Sequence, residues 1–297
     1  MSTLTAILAA TDFSAPARHA ADRAARLAHE TGAALTLMHA MPAQPLEELR
    51  QWLGAQREAE RQLLAQADEE LRRLADELAA ARRVTVATHL AIGAVLDEIG
   101  READALDADL LVLGARGTGF LRRLVLGTTS ERLLRRTTRP LLVVRATPHE
   151  PYRRALVALD FSPWSAHAIS LAHRVAPHAR LVLLSAFQVP FEEKLHFAGV
   201  DAATIGRYRQ QARAAATQKL HTAAQAAGLK AGDYDAVVVE GDASQRIVEQ
   251  EQEHDADLVV LGKHGQSAAE DLLLGSVTKH VLAEGSTDVL VSTARAA

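Results

Sequence analysis

Two stretches of the chain carry glycines at a spacing that would let the main chain hold a phosphate. The first stretch, 107–130, is an apolar segment that ends at Gly114 and is followed by Gly117 and Gly127. The second stretch, 255–278, repeats this pattern 148 residues later, and 11 of the 24 aligned positions are identical. An apolar strand, a glycine turn and a glycine-led helix start would direct backbone N–H groups toward an anion. The spacing therefore predicts an anion site in each half of the chain.

A second pair of motifs supplies a carboxylate at the end of the first strand of each half. The sequence Asp-Phe-Ser begins at Asp12 and recurs at Asp160, again 148 residues later. Because a carboxylate repels a phosphate, these residues belong at the base end of a nucleotide, where they would accept hydrogen bonds from an adenine amino group or a ribose. Taken alone, such a sequence is more often a helix cap, and a glycine after a strand is more often a turn. The complete set, present twice at matched spacing, predicts a nucleotide pocket in at least one half.

Alternating apolar and helical segments predict the framework that would position these motifs. Their order is typical of a parallel, doubly wound sheet with right-handed crossovers, in which ligands bind beyond the carboxyl ends of the strands. The strands expected in the first half are Leu4–Ala10, Ala34–Ala40, Val84–Leu90, Leu110–Leu113 and Leu141–Arg145. Those expected in the second half are Ala155–Leu159, Leu181–Ala186, Ala236–Val239, Leu258–Leu261 and Val289–Ser292.

The repeat and the length together predict two domains. We expect them to span 1–147 and 148–297, with a short proline-containing linker at Ala146–Arg153. Each domain contains a long charged helical segment, Leu46–Arg83 in the first half and Gln188–Gly228 in the second. In the first of these, leucines recur at helical spacing, which predicts a long amphipathic helix or a helix pair.

Bulk composition excludes several classes of protein. Of 297 residues, 48% are hydrophobic but only 4% are aromatic, so the cores must be mainly aliphatic. The absence of cysteine excludes thiolate chemistry, and a net charge of −4 with both signs interspersed does not suit a nucleic-acid surface. The chain has neither a basic, signal-like N-terminus nor an apolar run of about 20 residues. We therefore expect a cytoplasmic protein without a nucleic-acid partner or a membrane contact.

Sequence motifs of dedicated enzymes and metal sites are missing. There is no Walker-type loop and no nucleophile elbow, and the glycine order after Gly114 differs from that of a dinucleotide fingerprint. His280 and Glu284 are four residues apart on one helix, a pairing that we do not interpret as a metal site. His19 and His167 repeat at the same offset of 148, but core or capping contacts suit them better than catalysis. We therefore predict no catalytic residue and no protein-bound metal.

The paired motifs resemble those of the universal stress protein family in its tandem form. The family's phosphate motif, Gly-x2-Gly-x9-Gly-Ser/Thr, is matched from Gly114 and again from Gly262. Its strand-one Thr-Asp-Phe-Ser is matched from Thr11, and Leu159 replaces the threonine in the second copy. The resemblance implies two tandem doubly wound five-stranded parallel-sheet domains, similar to adenine-nucleotide alpha-hydrolases and related by pseudo-two-fold symmetry. It also implies a role in the stress response and binding of ATP, ADP or AMP, with Mg²⁺ as an optional companion and at most weak ATP hydrolysis.

The resemblance further implies which residues contact the nucleotide. Asp12 and Asp160 would face the adenine, Ala40 and Ala186 would meet it through their backbones, and the glycine turns and helix starts would hold the ribose and the phosphates. The residues implied in the first half are Ala10, Thr11, Asp12, Ala40, Leu113, Gly114, Arg116, Gly117, Gly127, Thr128, Thr129 and Ser130. Those implied in the second half are Ala158, Leu159, Asp160, Ala186, Leu261, Gly262, His264, Gly265, Gly275, Ser276, Val277 and Thr278.

The two halves depart from the family pattern in different ways. The histidine that often lies two residues after the first glycine is kept as His264 but replaced by Arg116 in the first half. The loop 114–127 carries a charge of +3, whereas the loop 262–275 carries −1. Exposed charges contribute from tenths of a kcal/mol to about 1 kcal/mol each. We therefore predict tighter and more salt-sensitive ATP binding in the first half.

Two alternatives stay open at this point. In the first, the protein is a scaffold of the same fold whose pockets remain empty or bind another small ligand. In the second, the protein is an enzyme that hydrolyses ATP slowly. The resemblance also implies that the last strands of the two halves pair with each other in an intramolecular pseudo-dimer, with a homodimer as a further option. The sequence names neither a stress pathway nor a protein partner.

Overall fold

The computed structural model describes residues 3–53, 57–115, 128–162, 164–165, 167–191, 194, 197–265 and 274–293. The chain divides into two compact units, Met1–Pro151 and Tyr152–Ala297. Each unit is a five-stranded α/β domain of the doubly wound type, which confirms the predicted fold class.

The first unit is a parallel sheet whose strand order creates a crevice. Neighbouring strands run parallel in the order β3-β2-β1-β4-β5. The order reverses between β1 and β4, so the loops that follow these two strands diverge and leave room for a ligand between them. The strands are β1 (Ala6–Ala10), β2 (Ala34–Pro42), β3 (Val86–Gly93), β4 (Leu110–Gly114) and β5 (Leu141–Val144). The helices are α1 (Ala15–Thr31), α2 (Ala43–Leu53), α3 (Arg57–Arg82), α4 (Val95–Ala105) and α5 (Thr128–Arg136).

The second unit repeats this topology. Its strands run parallel in the order β8-β7-β6-β9-β10, with the reversal between β6 and β9. The strands are β6 (Arg154–Ala158), β7 (Arg180–Phe187), β8 (Tyr234–Glu240), β9 (Leu258–Gly262) and β10 (Asp288–Ser292). The helices are α6 (Ala168–Val175), α7 (Ala202–Ala226), α8 (Ala243–Glu253) and α9 (Ser276–Glu284).

The predicted elements and the observed ones differ at several boundaries. Strand β3 begins two residues later than predicted and continues to Gly93, because it pairs with β2 along its full length. The segment Leu46–Arg83 falls into the helices α2 and α3, which is the helix-pair alternative. Helix α1 follows its cap Ser14 directly, whereas α6 begins only at Ala168. In the second unit the N–H groups of Ser165 and Ala168 bond to carbonyls three residues earlier, so tight turns replace the first helical turn.

Part of the repeated motif has a folding role. The second aspartate of the Asp-Ala-Asp sequence ties the start of the first strand to the strand beside it. Asp109 Oδ2 accepts from Thr5 N at 2.7 Å and from Ala6 N at 3.2 Å. Asp257 accepts from Arg153 N at 2.7 Å and from Arg154 N, at the start of β6, at 3.1 Å. The first aspartate of each motif has a left-handed backbone, with φ of 46° and 44°. These aspartates therefore explain part of the sequence identity without a ligand.

The core is aliphatic and rich in alanine, as the composition predicts. Strand β4 is buried along its whole length, and the sheet-facing side of α1 is lined by alanines such as Ala20 and Ala24, which are fully buried. Small side chains let the helix backbone lie close to the strands, which matters for the site described below. Within the described ranges, no helix combines the length and the apolar character needed to cross a membrane.

Helix α8 begins with a charged cap whose contribution should depend on pH. Asp242 accepts from Ser244 N at 3.0 Å and Gln245 N at 3.2 Å, and its pKa is lowered chiefly by the hydrogen bond from the Ser244 hydroxyl. A carboxyl with a lowered folded-state pKa stabilises the fold above its unfolded pKa of about 3.9 and loses this contribution as pH falls through the folded value.

We expect Asp242→Ala to lower the free energy of unfolding by about 1 kcal/mol at pH 7. Urea titrations of both proteins at pH 7 and pH 3 would measure this difference, which should shrink at the lower pH. Asp242→Asn is the matched control, because its amide oxygen still caps the helix but does not titrate. A deficit of Asp242→Ala that is equal at both pH values would contradict the charge-based explanation.

Candidate functional site

The turn after β1 lies at the edge of the crevice in the first unit. Asp12 Oδ1 accepts from Ser14 N at 3.1 Å and also from the Ser14 hydroxyl, so the carboxylate folds over its own turn. Phe13 has a left-handed backbone with φ of 63°. In the second unit Asp160 Oδ1 accepts from Ser162 N at 3.0 Å in the same way. The Asp-Phe-Ser motif therefore forms a local turn before the first helix of each unit.

The predicted alanines lie where main-chain groups extend past the end of a neighbouring strand. Thr11 N–H donates to the Met38 carbonyl at 2.8 Å, immediately beyond the last residue pair of the β1–β2 ladder. Alternate residues of a parallel strand direct their N–H and C=O groups toward the same neighbour. Ala40 therefore directs both groups toward the side on which β1 has ended. Ala186 occupies the same place in the second unit, since the Leu184 carbonyl accepts from the first residue after β6 at 2.8 Å.

The first glycine of each motif is required by contacts inside the protein. A Cβ atom on Gly114 would lie 2.8 Å from the carbonyl oxygen of Pro16, in the first turn of α1. A Cβ atom on Gly262 would lie 3.1 Å from both the Cβ of Trp164 and the carbonyl oxygen of His264. In the first unit the start of α1 therefore packs directly on the end of the motif strand, and in the second unit the turn before α6 does so. Only glycine permits this approach without a shift.

Two predicted hydroxyl residues hold the glycine strand against the helix that follows it. The Ser130 hydroxyl donates to the Gly114 carbonyl at 3.0 Å, and the Thr278 hydroxyl donates to the Gly262 carbonyl at 2.9 Å. Both side chains are buried, with exposed fractions of 3% and 2%. Their hydrogens are therefore committed to these bonds, which fix the position of the helix start relative to the strand end.

The second unit shows the glycine turn, the helix start and the Asp160 turn together. Gly275 caps α9, and its N–H donates to the Lys263 carbonyl at 3.1 Å. A Cβ atom on Gly265 would lie 3.0 Å from Asp160 Oδ2. The His264 side chain is only 4% exposed, and its ring centroid lies 4.7 Å from that of Trp164. Residues from three separate segments of the sequence therefore meet at the carboxyl ends of β6 and β9.

The remaining predicted site residues divide into three groups. Ala10 and Ala158 end their strands, and Leu113 and Leu261 are buried strand residues that can offer only their backbones to a ligand. The helix starts at Thr128 and Ser276 place further N–H groups in first helical turns, and Thr129 and Ser276 are exposed, with Val277 half-buried. Three predicted residues lie outside the described residues, namely Arg116, Gly117 and Gly127.

Sequence reasoning missed two side chains beside the first turn. His39 Nδ1 lies 2.7 Å from the Thr11 carbonyl oxygen, and its ring centroid is 4.4 Å from that of Phe13. Arg18 Nε donates to the Phe13 carbonyl at 3.3 Å. His39 directly precedes the predicted site residue Ala40 at a strand end, and this position could have indicated that His39 lies beside the site. In the part of the chain that the structure describes, no group of three or more His, Cys, Asp or Glu residues could hold a metal ion.

Comparison with known proteins finds the same family in both halves of the chain. The model of the universal stress protein family matches residues 4–145 and again 151–293. A universal stress protein of Mycolicibacterium smegmatis is 30% identical over 307 residues, covering 96% of each chain. Universal stress protein Rv2005c of Mycobacterium tuberculosis is 27% identical over 274 residues, covering 87% of this chain and 86% of the relative. The crystal structure of a universal stress protein from Archaeoglobus fulgidus superposes with a TM-score of 0.69 at 17% identity, covering 96% of this chain and 97% of that one. With one family match in each half, the chain belongs to the universal stress protein family.

Proposed function

We propose that the protein binds adenine nucleotides and acts in the stress response as a ligand-dependent sensor or regulator. The ligand is ATP, ADP or AMP, bound with or without Mg²⁺ on its phosphates. The observation that carries the proposal is the meeting of Asp160, Gly265 and the Gly275 helix start in the second unit. A carboxylate at one end and a helix start at the other suit a ligand that is uncharged at one end and anionic at the other, as a nucleotide is.

The base end of the crevice has groups that suit adenine. Ala40 directs a donor and an acceptor of its main chain toward the space beyond β1, and Asp12 adds a carboxylate beside it. A donor and an acceptor side by side complement a base edge that has one ring acceptor and one amino group, as adenine has. Guanine carries a carbonyl oxygen where adenine has its amino group, so it would meet the Asp12 carboxylate unfavourably.

The phosphate end relies on main-chain groups. The first N–H groups of α9 have no intrahelical acceptor, and the helix dipole favours a negative charge there. The Thr278 hydroxyl fixes this helix start against β9, so the N–H groups are held in place before a ligand arrives. Because these contacts involve no general base, we propose that the protein binds ATP and hydrolyses it weakly at most. We also propose that it acts in the cytoplasm, a reducing compartment that suits a chain without cysteine.

Thermal unfolding with and without nucleotide tests the proposal directly. A ligand at 100 times its dissociation constant stabilises the folded state by about 2.7 kcal/mol. We expect ATP, ADP or AMP to raise the unfolding temperature and GTP to raise it less, and mass spectrometry of the denatured protein to detect co-purified adenine nucleotide. Stabilisation by an unrelated metabolite alone would favour the scaffold alternative, and release of labelled phosphate from ATP would favour the enzyme.

The charges of the two glycine loops predict unequal sites. The loop 114–127 carries +3 and the loop 262–275 carries −1, a difference of about 1 kcal/mol in attraction for phosphates. A glutamate at either helix start would repel the phosphates, so Gly127→Glu and Gly275→Glu each remove one site. We expect Gly127→Glu to weaken ATP binding about fivefold more than Gly275→Glu does. The first site, which Gly127→Glu removes, should also bind ATP with a steeper salt dependence than the second site. Equal losses in the two titrations would contradict the predicted asymmetry.

A further inference from the structure

The turn that carries Asp12 is held in an unfavourable backbone conformation. Phe13 has a φ of 63°, and a left-handed backbone is sterically unfavourable for a bulky residue. Such a conformation persists only where the surroundings hold it. Its position next to the predicted base end makes the residues that hold it candidates for control of ligand binding.

Side chains from three elements hold this turn in the first unit. The Thr11 hydroxyl oxygen accepts from Phe13 N at 3.0 Å, and the carbonyls of Thr11 and Phe13 each accept from a side chain. His39 bonds to the Thr11 carbonyl at 2.7 Å, and because a carbonyl can only accept, Nδ1 carries the hydrogen. Arg18 donates to the Phe13 carbonyl at 3.3 Å. Both peptide groups that flank Asp12 are therefore fixed, and so is the direction of its carboxylate.

Helix α3 holds Arg18 in turn. The Arg18 guanidinium lies 3.2 Å from Glu70 Oε1 and 3.7 Å from Glu77 Oε2. These two carboxylates orient the guanidinium, while the His39 ring packs on Phe13 from β2. The turn is thus held between α3 on one side and β2 on the other, in addition to its own local hydrogen bonds.

The second unit lacks all three of these side chains at the corresponding positions. Thr11 and Arg18 correspond to Leu159 and Ala166 at the offset of 148. His39 corresponds to Ser185, because the residues before them, Met38 and Leu184, accept the same hydrogen bond. The left-handed backbone is nevertheless kept, with a φ of 61° at Phe161. The Asp160–Ser162 bond matches the Asp12–Ser14 bond, and Lys219 Nζ lies 5.8 Å from the centroid of the Phe161 ring. The two units therefore share the turn but differ in the side chains available to hold it.

From this difference we infer that His39 and Arg18 are positioning residues that make the first crevice the selective adenine site. They act through the turn that carries Asp12, so that its carboxylate is directed at the ligand before binding. A preorganised group loses less freedom when the ligand arrives, which strengthens binding and sharpens selectivity. In the second unit, which has none of these three side chains at the corresponding positions, we expect weaker and less selective binding of adenine nucleotides. The inference rests on the proposed nucleotide-binding function.

Nucleotide titrations of the full chain test the inference. All variants are made in a Gly275→Glu background, so that only the first crevice binds ATP. His39→Phe keeps an aromatic ring against Phe13 but removes the Nδ1–H donor to the Thr11 carbonyl. We expect it to weaken ATP binding about tenfold and to bring the affinities for ATP, GTP and dATP closer together.

His39→Asn places an amide donor near the Nδ1 position and should retain most of the affinity. Arg18→Met should act in the same direction as His39→Phe, and Ser185→Ala, the matched change in the second unit, should have no effect.

A double-mutant cycle separates positioning from general stability. If His39 acts through Asp12, His39→Phe should cost less than twofold in an Asp12→Ala background, while its effect on urea unfolding is the same in both backgrounds. A tenfold loss in both backgrounds, or unchanged ATP affinity in His39→Phe, would overturn the inference but leave nucleotide binding in place. If the wild type binds ATP and Gly275→Glu abolishes that binding, the inference would also be overturned. No nucleotide binding by the wild type would overturn both the inference and the proposed function.

Discussion

Replacing Gly114 with alanine is expected to destabilise the protein by about 2–3 kcal/mol and to weaken ATP binding at the first crevice at least tenfold. The added Cβ would lie 2.8 Å from the carbonyl oxygen and 2.9 Å from the carbonyl carbon of Pro16. Both are backbone atoms in the first turn of α1, so no side chain can rotate away, and overpacking of this kind costs about 1–3 kcal/mol. The helix start would move and carry the adjoining Asp12 turn with it. Urea unfolding and ATP titration of the same samples would measure both effects.

The matched control is another glycine-to-alanine change at a site with open space. Gly206 lies inside α7, and a Cβ atom there would meet nothing within 4 Å. Alanine is favoured over glycine in a helix interior by up to about 1 kcal/mol, so Gly206→Ala should stabilise the protein slightly and leave ATP binding unchanged. If Gly114→Ala proved as harmless as Gly206→Ala, the close approach of α1 to β4 would not be the reason for a glycine at this position.

Removing the Glu251 carboxylate should have the largest effect on stability outside the crevices. Glu251 is 2% exposed, and its Oε1 accepts from Ser286 N at 2.8 Å, from the Ser286 hydroxyl at 2.6 Å and from Thr287 N at 2.9 Å. It thereby fixes the turn that leads from α9 into β10. Hydrogen bonds to a charged acceptor contribute about 1.5–3 kcal/mol each, and donors left without an acceptor add a desolvation cost. We expect Glu251→Ala to lower the free energy of unfolding by about 3 kcal/mol.

Two further variants make the Glu251 result specific. Glu251→Gln keeps an oxygen in place of Oε1 and should lose about 1 kcal/mol, because the charge but not the acceptor is removed. Gln252→Ala changes an exposed neighbour on the same helix and should alter stability by less than about 0.5 kcal/mol. Urea titration at pH 7 compares all three variants with the wild type. A loss from Glu251→Ala no larger than that from Gln252→Ala would show that the turn before β10 needs no acceptor.

The parts of the molecule that could be predicted from the sequence are those that depend on local pattern. Apolar runs alternating with helical periodicity indicate a parallel doubly wound sheet, and the constant offset of 148 indicates that the fold occurs twice. The motif glycines and Asp-Phe-Ser sequences could be placed at strand ends, because a strand end is visible in the sequence as the end of an apolar run. The boundary of β3 could not be predicted, because its length is set by pairing with β2.

The reasons for several motif residues could not be predicted. Asp109 belongs to the most similar stretch of the two halves, yet it accepts hydrogen bonds from the start of β1, about a hundred residues away. Ser130 is among the residues predicted to contact the nucleotide, and in the structure its hydroxyl donates to the Gly114 carbonyl. A motif shows that a residue type recurs, but the partner of that residue depends on which strands become neighbours.

The sequence by itself determined that this protein has two copies of one α/β domain, each with glycines and a carboxylate at the carboxyl ends of its strands. Those features follow from short-range periodicity and spacing. Only the tertiary structure decided that α1 packs on Gly114 and that His39 and Arg18 hold the Asp12 turn. The physical reason is that these contacts depend on the register of β2 beside β1 and on the docking of α3, which long-range packing sets.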